Sequence, residues 1–221
     1  MSLVLPYSVR QYAMNMLEKT DDAALKTLLV DMLNYGAEAQ KYFGVNVSDL
    51  VNAGLSEEQL AYATEAEPEL ENHKSLTPYE GAAVWFEGCS LSLERSVTLN
   101  YYLDLSTCGL PAGALTLELS WLDADGAVQT SRIDGSDFTA RQLGGRTVYV
   151  AVMDELNAAQ MRTIVSATVL RKADQARISD TMLYSIESYA QSKLKNDPAL
   201  AAVILAMMKY GDAAEAYFSN R

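Results

Sequence analysis

The sequence predicts an α+β protein in which an antiparallel β-sandwich is flanked by two homologous α-helical hairpins. Three observations predict it. One stretch of helical periodicity occurs twice, once near each end of the chain. The region between the copies alternates apolar and polar residues with a period of two. Glycine-containing turn signals separate the alternating runs, with no long helical pattern among them.

The repeat comes first. Residues 7–19, Tyr-Ser-Val-Arg-Gln-Tyr-Ala-Met-Asn-Met-Leu-Glu-Lys, align with 184–196, Tyr-Ser-Ile-Glu-Ser-Tyr-Ala-Gln-Ser-Lys-Leu-Lys-Asn. Residues 22–43 then align with 197–218 after a two-residue deletion, and 14 of the 35 aligned positions are identical. The matched set includes Tyr12 with Tyr189, Leu25 with Leu200, Met32 with Met207, Tyr35-Gly36 with Tyr210-Gly211, and Tyr42-Phe43 with Tyr217-Phe218.

Each copy reads as two amphipathic helices. Val9, Tyr12, Ala13, Met16 and Leu17 form one apolar stripe, and Leu25, Leu28, Leu29, Met32, Leu33, Gly36, Ala39 and Phe43 form the next. The deletion falls in the loop between helices, where a length change is cheap. Asp22 and Asp197 stand at N-cap positions, and Pro198 follows at the first helical position. Gly36 and Gly211 each cost about 1 kcal/mol inside a helix. Close approach of a neighbouring element explains that cost, with a ligand against bare backbone as the alternative. A hairpin this short cannot fold alone, since below about 40 residues a chain buries too little surface. The two hairpins are therefore expected either to form a four-helix bundle or each to dock on a sheet edge.

Hairpin 1 spans 7–44. Residues 45–81 read as a linker with one short helix, which opens at the capping-box pattern Ser56-Glu57-Glu58-Gln59. The acidic stretch from Thr64 to Thr77 holds His73, the sole histidine, read as a solvated loop residue.

The sandwich spans 82–181. Its apolar parities are Leu91 and Leu93, then Val97 to Leu105, Leu115 to Trp121, Val148 to Val152, and Val165 to Val169. A last edge strand is expected around Arg177 to Thr181. Gly109-Leu110-Pro111, Asp125-Gly126, Asp134-Gly135 and Gly144-Gly145 supply the turns. About seven short strands at this spacing point to an immunoglobulin-like arrangement, with a barrel as the runner-up. Hairpin 2 spans 182–221. The two Tyr-Ser copies are 177 residues apart, as in one and a half units of a tandem array.

Composition removes several functions. Seventeen Lys and Arg face 29 Asp and Glu, a net charge of −12, which opposes nucleic acid and anionic membrane surfaces. The run Leu200–Met208 is far shorter than the roughly 20 residues of a membrane span, so no membrane insertion is expected. Met1 to Pro6 lacks signal-peptide character, and Met1-Ser2-Leu3 is compatible with an expression scar on a fragment. Cys89 and Cys108 read as two free buried thiols, with a single disulfide between neighbouring strands as the alternative.

The chemistry-bearing candidates are few. A Ser/His or Cys/His pair needs a histidine in a rigid site, and zinc needs clustered His and Cys ligands. No phosphate-cradling glycine loop is present. Glu87, Glu94, Asp104 and Glu118 read as the solvated acids of a sheet rather than a glycosidase pair. Asp123-Ala124-Asp125-Gly126 reads as a hairpin turn rather than half a calcium loop, with a weak edge site involving Asp134 or Asp137 as the alternative. No catalytic residue, metal ligand or cofactor is therefore expected. Trp121 shares its face with three leucines and reads as core. Trp85 and Tyr102 fall on the polar parity and are the candidate ligand-binding residues, as exposed rings able to stack on a sugar.

The phrase Asp31-Met32-Leu33-Asn34-Tyr35-Gly36-Ala37-Glu38-Ala39-Gln40-Lys41-Tyr42-Phe43 resembles a helical segment of large, mostly uncharacterised secreted or surface proteins of Gram-positive anaerobic bacteria. There it follows a β-sandwich ending in a Tyr-Ser-Val-type junction, as Tyr184-Ser185-Ile186 does here. The second copy departs from the phrase at Lys209 and Asp212-Ala213. The resemblance implies an extracellular or cell-surface setting and a modular role. It implies no known activity. The expected function is a structural or adhesion module of a larger protein, with a carbohydrate-binding module as the alternative. The expected partners are neighbouring modules of the same polypeptide and a glycan or host protein.

Overall fold

A computed structural model describes residues 8–92, 97–154 and 156–219. It is α+β, with two antiparallel sheets of nine strands in total and five helices among those residues. The chain divides into two compact units. One joins the first 70 residues to the chain from Ala190 onward, and the other is Glu71–Tyr189. Among the described residues no helix is long and apolar enough to cross a membrane.

In the helical unit, α1 (Val9–Lys19) starts at Ser8, whose Oγ accepts the Gln11 amide, and α2 (Ala23–Phe43) starts at Asp22, whose carboxylate accepts the Leu25 amide. The apolar stripes read from the sequence become one cluster of Ala13, Leu17, Leu29, Val30 and Leu33, with Val51, Leu55 and Tyr62 around it. The short α3 (Glu57–Leu60) opens with the expected capping box of Ser56 and Gln59. At Gly36 the close approach is local: a Cβ there would lie 2.8 Å from Val51 Cγ2.

The last helix, α5 (Ala201–Ser219), follows a 3₁₀ turn at Pro198–Leu200. Asp197 makes no side-chain cap bond, unlike Asp22. The 3₁₀ turn replaces the α-helical first turn that an aspartate cap serves. α2 packs along α5. Tyr35 and Tyr210, equivalent positions of the repeat, stack with ring centroids 6.1 Å apart and planes 12° apart.

In the second unit the strands are β1 (Ser75–Thr77), β2 (Trp85–Ser92), β3 (Thr98–Asp104), β4 (Leu115–Leu122), β5 (Val128–Asp134), β6 (Thr139–Leu143), β7 (Arg146–Met153), β8 (Val165–Arg171) and β9 (Arg177–Tyr184). One sheet has the order β1-β9-β8-β4-β5 and the other β2-β3-β7-β6. The core holds Leu99, Tyr101 and Leu103 of β3, Leu115, Leu117 and Leu119 of β4, and Val165, Ala167 and Val169 of β8. These are the parities the alternation predicts, although Leu93 and Glu94 lie outside the described residues.

Three strands carry no readable alternation: β1, β5 and β6. All three lie at sheet edges, and β1 and β6 are exposed throughout, so no apolar face is there to read. For the same reason β9 is not the expected edge: β1 pairs outside it. Gly144 and Gly145, at φ 57° and 80°, make the two-residue turn between β6 and β7. Asp134-Gly135 is not a hairpin but opens a 3₁₀ turn, Gly135–Asp137, with the Ser136 amide donating to Asp134. A Cβ at Gly135 would lie 1.9 Å from the Ala112 carbonyl oxygen. β9 runs directly into α4 (Ile186–Asn196), whose first turn belongs to this unit.

Candidate functional site

Register places the two predicted ligand-binding residues together. Trp85 of β2 stands opposite Asp104 of β3, and Gly88 opposite Tyr102. Tyr102 and Asp104 have the same parity, so Trp85, Tyr102 and Asp104 share the face opposite to buried Leu99, Tyr101 and Leu103. Trp85 is 42% exposed, and its Nε1 donates to Thr107 Oγ1 at 3.1 Å. The Thr107 hydroxyl donates in turn to the Ala83 carbonyl at 2.9 Å, so the ring is held by two successive bonds. Tyr102 is half-buried rather than exposed, with its hydroxyl 3.1 Å from Ser90 Oγ. Asn100 Nδ2 donates to Ser90 at 3.2 Å and to Ser92 at 2.8 Å, completing a polar ladder across the two strands.

The acids on this sheet are not solvated in the expected way. Glu87 sits at the bulge between Phe86 and Gly88 and takes both arms of Arg146, at 3.1 and 3.0 Å. Asp104, 8% exposed, is 3.6 Å from the same guanidinium. The Ser106 amide, more than any other group, holds the Asp104 carboxyl below the usual carboxylate range. A carboxyl lowered in this way favours its ionised form, so Asp104 is not tuned as a general acid. Glu118 takes Arg132 Nε and Nη2 at 2.9 and 2.6 Å. The pairing reflects cross-strand neighbours of opposite charge, Glu118 facing Arg132 in register.

The turn acids are occupied by protons from the chain. Asp123 accepts the amides of Asp125 at 3.0 Å and Ala127 at 2.9 Å, and Gln129 Nε2 at 2.6 Å. These bonds, the Ala127 amide foremost, lower its pKa. Asp134 holds Lys172 Nζ at 2.6 Å. Among the described residues no three His, Cys, Asp or Glu side chains gather as a metal set.

His73 is not a solvated loop residue. Its side chain is 32% exposed, and Nε2 lies 3.5 Å from both Glu71 Oε2 and Glu187 Oε2. Its amide donates to Ser188 Oγ at 3.0 Å. Linker composition gave no sign of this because two of the partners, Glu187 and Ser188, are more than 100 residues away, on the first turn of α4. Cys89 and Cys108 are free and half-buried. Burial pushes the Cys89 thiol up to about 12. Trp121 is only half-buried, and its Nε1 and the Tyr101 hydroxyl are enclosed with no hydrogen-bond partner.

A polar group that sequence reasoning missed lies in the helical unit. A cavity of about 230 Å³ is lined by Asp31, Asn34, Ala63, Thr64, Ala206 and Lys209, among others. Asp31 is 2% exposed and takes the Thr64 amide at 3.2 Å and its hydroxyl at 2.6 Å. Burial raises its pKa against the opposing pull of those bonds and of Lys209. Lys209 Nζ donates to the carbonyls of Thr64 at 2.8 Å and Glu65 at 3.3 Å. The group clamps residues 64 and 65 between α2 and α5. A signal for it existed: the repeat puts Asp31 against Ala206 and Asn34 against Lys209, so both charges break the duplication.

No family model matches this chain, and no curated protein matches it.

Proposed function

We propose that the chain is a non-catalytic structural or adhesion module of a larger bacterial surface or secreted protein, working outside the cell beside neighbouring modules of the same polypeptide. One observation carries this reading: the shared positions that are enclosed, among them Ala13 with Ala190, Met207 and Gly211, serve packing, and the shared aromatics contact one another. Tyr35 stacks on Tyr210, Met207 and Gly211 are buried on α5, and Tyr42–Phe43 and Tyr217–Phe218 form edge-on pairs at 5.0 and 5.1 Å. The charged groups that could do chemistry are those the copies do not share.

The finer architecture has its own support. The orders β2-β3-β7-β6 and β9-β8-β4-β5 follow the ABED and GFC pattern of an immunoglobulin-like sandwich, with β5 beside the C strand and β1 added outside G. The homology of the flanking hairpins is supported by matching starts: Ser8 Oγ accepts the Gln11 amide at 3.1 Å, and Ser185 Oγ the Ser188 amide at 3.0 Å. Deleting this segment from its parent protein is expected to impair surface display or adherence. Unchanged display and adherence refute the reading.

The carbohydrate-binding alternative is favoured by the shared face of Trp85 and Tyr102 beside the Asn100 ladder. Tyr102 beside the Ser90 hydroxyl and the Asn100 amide, and Trp85 opposite Asp104, set rings next to hydrogen-bonding groups, as stacking on a sugar needs. A glycan array without hits, or binding unchanged by Trp85→Ala and Tyr102→Ala, removes it.

A further inference from the structure

The duplication supplies a built-in comparison between the first turns of α1 and α4. In α4 the turn is seated. Ser185, Ile186, Glu187 and Ser188 are 0, 1, 3 and 1% exposed. The Glu187 amide donates to the Met161 carbonyl at 3.0 Å, and its carboxylate accepts from Arg162 Nη1 and from the Glu71 amide at 3.2 Å. His73 lies beside Glu187, and its amide holds Ser188. All these partners belong to the same β unit. In α1 the equivalent Ser8, Val9 and Gln11 are exposed, Val9 to 70%. The same N-cap is built in both copies, so the local fold is the same and only the covering differs.

The charges also differ. Glu187 is replaced by Arg10, which pairs with exposed Asp49 at 2.7 Å. Seated like α4 against this chain's own kind of sandwich, Arg10 would meet the position of Arg162, a like-charge contact.

We propose that the first turn of α1 is a docking surface for the end of a second β-sandwich of the kind formed by residues 71–189, one that carries a carboxylate where these residues carry Arg162. This rests on the tandem-module reading. The charge reversal makes the seat selective: α1 fits an acidic seat, α4 a basic one.

The test joins a second copy of residues 71–184 ahead of Ser8 in the full chain, with Arg162 kept or with Arg162→Glu in the added copy. Cys89 and Cys108 are replaced by serine, and Val9→Cys reports exposure through its rate of thiol labelling. Labelling is expected to fall at least tenfold with Arg162→Glu in the added copy and to change little with Arg162 kept. Undiminished labelling on a folded added copy overturns the proposal. A second measurement needs no added domain. In the full chain α4 is recoded with Ile186→Val, Glu187→Arg and Ser188→Gln. Hydrogen exchange at the Glu187-position amide is expected to accelerate at least tenfold and to recover with Arg162→Glu. A recoded turn that stays unprotected in that background overturns the proposal. Either failure leaves the reading as a structural or adhesion module standing, because that reading is decided by display and adherence.

Discussion

The stack of Tyr35 on Tyr210 joins two ends of the chain that are 175 residues apart, and a double-mutant cycle measures it. Each ring is half-buried. Truncation to alanine removes about 100 Å² of buried apolar surface, at ~25 cal/mol per Å² a cost of about 2.5 kcal/mol for each variant. Planes 12° apart with centroids at 6.1 Å make an offset stack. Such a pair is worth about 0.5–1.5 kcal/mol beyond its area. Each single change, which also loses the stack, therefore costs about 3–4 kcal/mol in all, and Tyr35→Ala with Tyr210→Ala costs about 5.5–6.5 kcal/mol, less than the sum of the single changes by the worth of the stack. Urea unfolding followed by far-ultraviolet circular dichroism gives the totals, and hydrogen exchange at α2 and α5 assigns the loss to the helical unit. Additivity within about 0.3 kcal/mol would mean that the rings do not touch, and the pairing of the two copies would fall with it.

Gly135→Ala should prevent stable folding of the β unit, at a cost of about 3 kcal/mol or more, because its Cβ meets the backbone oxygen of Ala112. Gly88→Ala, with nothing within 4 Å of the added carbon, is the control and should leave solubility and unfolding midpoint near those of the parent chain. The raised pKa of Asp31 makes the helical unit more stable as pH falls from neutrality through its folded pKa toward its ordinary 3.8, since only the neutral form is relieved of burial. Asp31→Asn should flatten that slope in pH-dependent hydrogen exchange of α2, and an unaltered slope assigns it elsewhere. With its thiol pushed up to about 12, Cys89 should be alkylated at pH 8 roughly a hundredfold or more slower than in urea, and equal rates would mean the thiol is not buried.

The pairing of equivalent tyrosines also bears on assembly. A contact between the same residue of two copies is self-matching, as across a local two-fold axis, and such contacts close rather than propagate.

Much of the fold was legible because it rests on period. Leu115, Leu117 and Leu119 are buried because one parity faces the core, and that is readable residue by residue. β1, β5 and β6 were silent because an edge strand is held by backbone bonds that leave little trace in side-chain pattern. Trp85 was placed correctly on the polar face, whereas Tyr102 was read as more exposed than it is, since Ser90 on the next strand draws in its hydroxyl. His73 was misread because its neighbours in sequence are solvated and its neighbours in space are not.

By itself the amino-acid order determined what is local: the caps at Asp22 and Ser56, the helical stripes, the buried parities and the likeness of the two end segments. Only the tertiary structure decided that α2 pairs with α5, that Asp31 and Lys209 both hold Thr64, and that one copy's first turn is covered while its twin is bare. The reason is range. Caps and periodicity act within a few residues, whereas burial of a given turn depends on which distant surface reaches it, and two nearly identical segments can meet different surfaces.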